Sequence, residues 1–197
     1  VAEEPGWEQV APTDQRFFLD GYIELFDRTE EAMETLLTDD TPENRVRAYC
    51  HYHLVVESVL AQTGYYGITS SMSSQGSDDV AKDDLPHLDG LVEGISYIRS
   101  DEGRHVGFGM HKVQELIAEE GVAPDIVQGI LTDLLPLVAG TVQTEFDTGA
   151  DPAPLIEYAQ DKLSKRIEII TDADAELPPV EELVKIEGAD DPAAADD

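Results

Sequence analysis

The stretch SYIRSDEGRHVGFG, residues 96–109, holds the only Glu-x-x-His spacing in the chain, Glu102 to His105. On a helix, positions i and i+3 lie on one face about a turn apart, so this carboxylate and this imidazole can address one ion. The spacing alone points first to an exposed ion pair, because the chain carries 43 acidic residues and five histidines and such pairs arise by chance. The flanks narrow the choice. Ile95, Ile98, Val106 and Phe108 give this helix much to bury, and polar groups on its inner face then need partners.

A partner is available one helix earlier. Glu57 sits in HLVVESVLA (53–61) among apolar residues, where an unpaired carboxylate is costly. Pairing with Arg45 or Arg99 is one explanation for it. The other is a shared site, since one Glu plus one Glu-x-x-His is half of the four-carboxylate, two-histidine set that holds two metal ions in a four-helix bundle.

Working outward, the apolar pattern is helical throughout, with little strand-like alternation. Thr13 and Asp14 are placed to cap a first helix whose Phe17, Phe18, Tyr22, Ile23, Phe26, Met33, Leu36 and Leu37 recur at three- and four-residue intervals. It ends at TDDTP (38–42). Thr41 caps and Pro42 opens a second helix, which runs to about Gly67 and is apolar on most sides, a central position in a bundle. SSMSSQGSDDVAKDD (70–84) reads as a mobile connection. The third helix carries both Glu102 and His105 and is stopped by Gly121. A fourth runs from Pro124 to about Phe146 with a possible kink at Pro136, and a fifth from Pro154 to about Ile170. This gives an all-α domain over residues 13–172, preceded by a lead-in (1–12) and followed by an acidic tail (173–197) expected to be disordered beyond Leu177. No internal repeat is apparent.

Charge and composition exclude some partners. At 197 residues and 41% hydrophobic content the chain can build a core, yet 43 acids against 12 bases give a formal charge of −31. Nucleic acid and anionic membrane are excluded by such a surface, because phosphate binding needs Lys and Arg. The acids are spread from one end to the other, which reads as a surface adapted to high salt. One cysteine, Cys50, rules out an internal disulfide. No stretch approaches the roughly 20 apolar residues of a membrane span. A cytoplasmic protein is the expectation.

Two segments together carry a resemblance. VRAYCHYHLVVESVLAQTGYYG (46–67) followed by SYIRSDEGRHVGFG resembles two metal-bearing helices of the ribonucleotide-reductase small-subunit superfamily, and within it the ligand-binding oxidase branch. There a Tyr five residues before the helical Glu, a TGYY segment and a DExRH motif occur together, and the match runs from about Arg45 to Arg166. The resemblance implies a ferritin-like helical bundle, iron and/or manganese as cofactor, and Glu57, Glu102 and His105 as metal ligands. It implies that Tyr52 is the oxidised tyrosine that forms an ether cross-link to a valine. Asp101, before the ligand Glu, would orient a histidine of the other half-site. Tyr65 and Tyr66 are candidates for lining a pocket for a long-chain fatty-acid-like ligand, or are ordinary core aromatics. His53 is expected to pack or hydrogen-bond, and His111 and Glu115 to lie on the surface.

The departure is large. In the superfamily, two earlier helices supply another Glu, another Glu-x-x-His and the valine, and nothing before Thr13 matches them. The chain therefore reads as the C-terminal half of a di-metal oxidase, expecting a missing N-terminal half or, less directly, pairing with a second copy as a homodimer. A radical-generating ribonucleotide reductase small subunit is the competing activity, but its docking tail usually contains aromatics and EGADDPAAADD (187–197) has none. A non-catalytic helical remnant or interaction subunit is the competing class.

Overall fold

The computed structural model describes residues 18–73, 86–142, 152–172 and 175–186. Helix α1 (Asp20–Thr35) buries Leu25, Thr29 and Ala32, an i, i+4, i+7 stripe that faces the core. The capping pair Thr13 and Asp14 lies outside the described residues, and Leu19 stands at the N-cap without a side-chain bond. Helix α2 (Pro42–Tyr49) begins as its sequence dictates: Thr41 Oγ1 accepts from the Asn44 N–H at 3.3 Å and Pro42 opens the first turn.

From Cys50 to Leu60 the same helix changes its winding to the π form, then reverts as α3 (Ala61–Met72). The periodicity predicts one uniform helix here, and the π segment is the main local difference. The helix also continues to Met72, so residues 70–72 belong to it rather than to a connection; residues 74–85 lie outside the described set. A Leu88 N–H bond to Met72 O, 2.8 Å, joins the start of the next helix to its end.

Helix α4 (Asp89–Glu120) ends where Gly121 adopts φ 73°, the left-handed conformation that terminates helices without a Cβ clash. Helix α5 (Pro124–Val142) accommodates Pro136 in its interior, and the expected extension to Phe146 lies outside the described residues. Helix α6 spans Ala153–Thr171 and the short α7 spans Val180–Leu183. Among the described residues there is no strand, and no helix is long and apolar enough to cross a membrane.

The π segment is the hub. It packs against α1, α4, α5 and α6, and its buried Leu54, Val55 and Val59 join Val106, Met110 and Val113 of α4 with Leu131 and Leu134 of α5 in one apolar cluster. Full burial of each such side chain is worth about 1.5–3 kcal/mol. Buried Cys50 sits in this cluster, and desolvation pushes its thiol to about 12, which keeps it protonated and unreactive.

The tail expectation needs correction over residues 175–186. Leu183, Val184 and Ile186 are buried, and three buried cations hold the carbonyls of three successive residues. Arg166 donates to Leu183 O, Arg99 to Val184 O, and Lys162 to Lys185 O at 2.7 Å. The Leu183 carbonyl ends α7, Val184 is its C-cap and Lys185 follows it, so the cations gather at the C-terminal end of this short helix. Composition pointed the other way because Pro and acidic residues outnumber the few apolar side chains that anchor the segment. Residues 187–197 lie outside the described set.

Candidate metal centre

Three side chains from two elements converge. Glu57 of the π segment and Glu102 and His105 of α4 each offer a ligand atom, and these atoms lie within 4.8 Å of one another. His105 Nδ1 is 3.3 Å from Glu57 Oε1 and 3.2 Å from Glu102 Oε2. With metal–ligand bonds of about 2.1 Å, ligand atoms around one ion stand roughly 3–4 Å apart, so the three fit a shared ion with little adjustment. Hard carboxylates with an imidazole suit iron or manganese. Glu57 is 12% exposed, whereas His105 is 49% exposed, so the cluster opens to one side.

The approach of the two elements depends on a missing side chain. A Cβ on Gly109 of α4 would stand 2.3 Å from His53 Cβ and 2.9 Å from His53 Cγ. Only glycine lets α4 lie this close to the π segment. His53 is held in turn by rings: Tyr49 at 5.8 Å, Tyr52 at 5.0 Å and Phe108 at 5.5 Å between centroids. Its Nδ1 lies 2.6 Å from Glu57 Oε2. Sequence reasoning left His53 between packing and hydrogen bonding; it does both.

Tyr52 illustrates what the π winding does. On an α-helix, five residues place two side chains about 140° apart, which separates Tyr52 from Glu57. With i→i+5 hydrogen bonding, five residues make about one turn, and the two come to the same side. The pKa of Tyr52 is raised by the charge of Glu57 first, then by desolvation, hydrogen bonding toward Glu57 and the charge of Glu102. In a metal-free sample, ultraviolet titration should therefore show this phenol ionising above the ordinary value of 10.0. Glu57→Gln removes the dominant charge and should move it back down; an unchanged curve would separate Tyr52 from the site.

The other nominated residues divide. Tyr65 is near enough to the cluster that its pKa is raised, by burial first and then by Glu102 and Glu57. Tyr66 instead stacks on Tyr158 of α6, centroids 4.5 Å apart. Asp101 is exposed and paired with Arg104, which holds its carboxyl below the usual range. Arg45, one candidate partner for Glu57, is bound to Asp40. His111 is exposed, and Glu115 pairs with Lys112 at 2.6 Å.

No family model matches the chain. Solved structures do. An R2-like ligand-binding oxidase variant with an anaerobically reconstituted Mn/Fe cofactor is 30% identical with a TM-score of 0.65, over 78% of this chain and 54% of that one. An R2-like ligand-binding oxidase without metal cofactor is 28% identical at the same TM-score, over 78% of this chain and 58% of its own length. A further variant, aerobically reconstituted with Mn/Fe, is 29% identical, TM-score 0.65. The ferritin-like all-α architecture is thus shared, and this chain spans just over half the length of these proteins. Over the residues it spans, the chain is similar in fold and sequence to the R2-like ligand-binding oxidases.

Proposed function

We propose that the chain is the C-terminal half of a metal-dependent oxidase with a two-metal carboxylate centre, Mn/Fe or Fe/Fe. The observation that carries this is the convergence of Glu57, Glu102 and His105 within 4.8 Å, supported by similarity to proteins described with a Mn/Fe cofactor. When bound, the metal pair supplies O2 reduction. The residues of this chain hold one side of the pair, with Tyr52 as the group oxidised beside it and Tyr65 as the tyrosine best placed to line a fatty-acid-like ligand. Asp101 would orient a histidine contributed from outside these residues.

The remaining ligands must come from another segment, in the same polypeptide or a separate one. Tyr52, on the π segment, and Ile98 and Phe108, on α4, are 40%, 49% and 47% exposed on the two elements that carry the cluster, as surfaces awaiting a partner are. The 197-residue chain alone should therefore retain fewer than two iron or manganese ions after dialysis. Elemental analysis finding two tightly held ions per monomer would overturn the half-site reading. A homodimer that loses its metal on His105→Ala would favour self-pairing over a distinct N-terminal segment.

We also infer a cytoplasmic, salt-adapted protein. With a formal charge of −31, self-repulsion at low ionic strength should weaken the fold, and molar salt, with a screening length of about 3 Å, should restore it. Circular dichroism against salt tests this. Full helicity in dilute buffer, unchanged by salt, would exclude the adaptation.

A further inference from the structure

We propose that His53 is a positioning residue for Glu57, which holds that carboxylate to one-oxygen coordination; the inference rests on the metal-site reading above. Glu57 has two oxygens with different surroundings. Oε1 lies 3.3 Å from His105 Nδ1, while Oε2 lies 2.6 Å from His53 Nδ1. A carboxylate oxygen can only accept, so the short contact requires the Nδ1–H form of His53. A donor at 2.6 Å is at the short limit of hydrogen bonds to a charged group, and it occupies the second oxygen of the carboxylate.

The ring is built to stay there. His53 is only 17% exposed and is confined by the rings of Tyr49, Tyr52 and Phe108. Its Cβ rests against the backbone of Gly109, where no other side chain fits. A hydrogen-bond donor fixed by packing on four sides sets the carboxylate plane of Glu57 before an ion arrives. Preorganised partners of ligands are worth typically 10–100-fold in metal affinity.

The test uses cobalt(II) alone as probe, titrated into the full 197-residue chain and followed by visible absorption, whose intensity reports coordination geometry. His53→Phe keeps the ring packing and removes the donor. It should weaken Co(II) binding about tenfold or more and change the band shape, as Oε2 turns toward the ion. His53→Asn places an amide N–H where Nδ1 was and should retain most of the wild-type affinity and spectrum. Wild-type behaviour of His53→Phe overturns the proposal, and so does equal damage from both variants, which indicates packing alone. A readout that needs no variant is the 15N spectrum of the wild-type ring: protonated Nδ1 is expected, and an unprotonated Nδ1 removes the donor. His105→Ala separates the two levels. If it abolishes binding while His53→Phe is silent, only the positioning role falls; if binding survives it, the metal-site reading falls as well.

Discussion

Gly109→Val should unfold the protein or leave it barely stable. The Cβ alone would approach His53 Cβ to 2.3 Å, and neither atom can move without its helix backbone. The π segment and α4 would have to part, and Leu54 and Met110, both fully buried beside the contact, would lose their packing. Overpacking typically costs 1–3 kcal/mol and occasionally more; with two γ-methyl groups added we expect about 3 kcal/mol or above. The control lies on the same helix. Gly94 has nothing within 4 Å of a built Cβ, so Gly94→Ala should stabilise by up to about 1 kcal/mol through helix propensity. Urea midpoints in high salt report both. A Gly109→Val midpoint at or above the wild-type value would refute the close approach at Gly109.

Arg166→Met should be nearly as damaging. The guanidinium donates to Ser58 Oγ at 3.1 Å and to Leu183 O, joining the residue after Glu57 to the end of α7. Burial lowers the pKa of Arg166, to about 10, so the group remains a charged donor at neutral pH. Methionine fills similar space but leaves two buried acceptors unsatisfied, at about 1–3 kcal/mol each. We expect a loss of about 3 kcal/mol, with the 175–186 segment losing hydrogen-exchange protection first. Unaltered protection of Leu183 and Val184 amides would show that Arg99 and Lys162 hold the segment without it.

The elements with local chemical signals were legible in the sequence. Thr41 and Pro42 mark a helix start, Gly121 marks a stop, and the helical spacing of apolar residues locates the elements between them. Glu102 and His105 stand out by their spacing and Glu57 by its apolar company, their shared role comes from the resemblance, and the structure brings the three together. What was not legible arises from contacts distant in sequence. Leu183 and Ile186 looked isolated in an acidic tail, since their partners lie on α4 and α6. Gly109 gave no sign of its role, because that role depends on His53 across the interface. The hydrogen bond from His53 to Glu57 follows an ordinary i, i+4 spacing, which is legible in the sequence, whereas its acceptor oxygen is not.

The π winding also fixes rotational phase beyond itself. Each residue with i→i+5 bonding advances around the axis by a smaller angle than an α residue, so α3 emerges turned relative to the course α2 had set. The Tyr65–Tyr66 pair shows the outcome: one phenol faces the carboxylate cluster while its neighbour stacks on Tyr158. Deleting one residue within Cys50–Leu60 would turn everything downstream by somewhat less than the roughly 100° of an α residue and bring Tyr66 to the position that Tyr65 holds. A length change in this segment would thus act as a selector for which tyrosine meets the carboxylate cluster, with no change in the TGYY letters themselves.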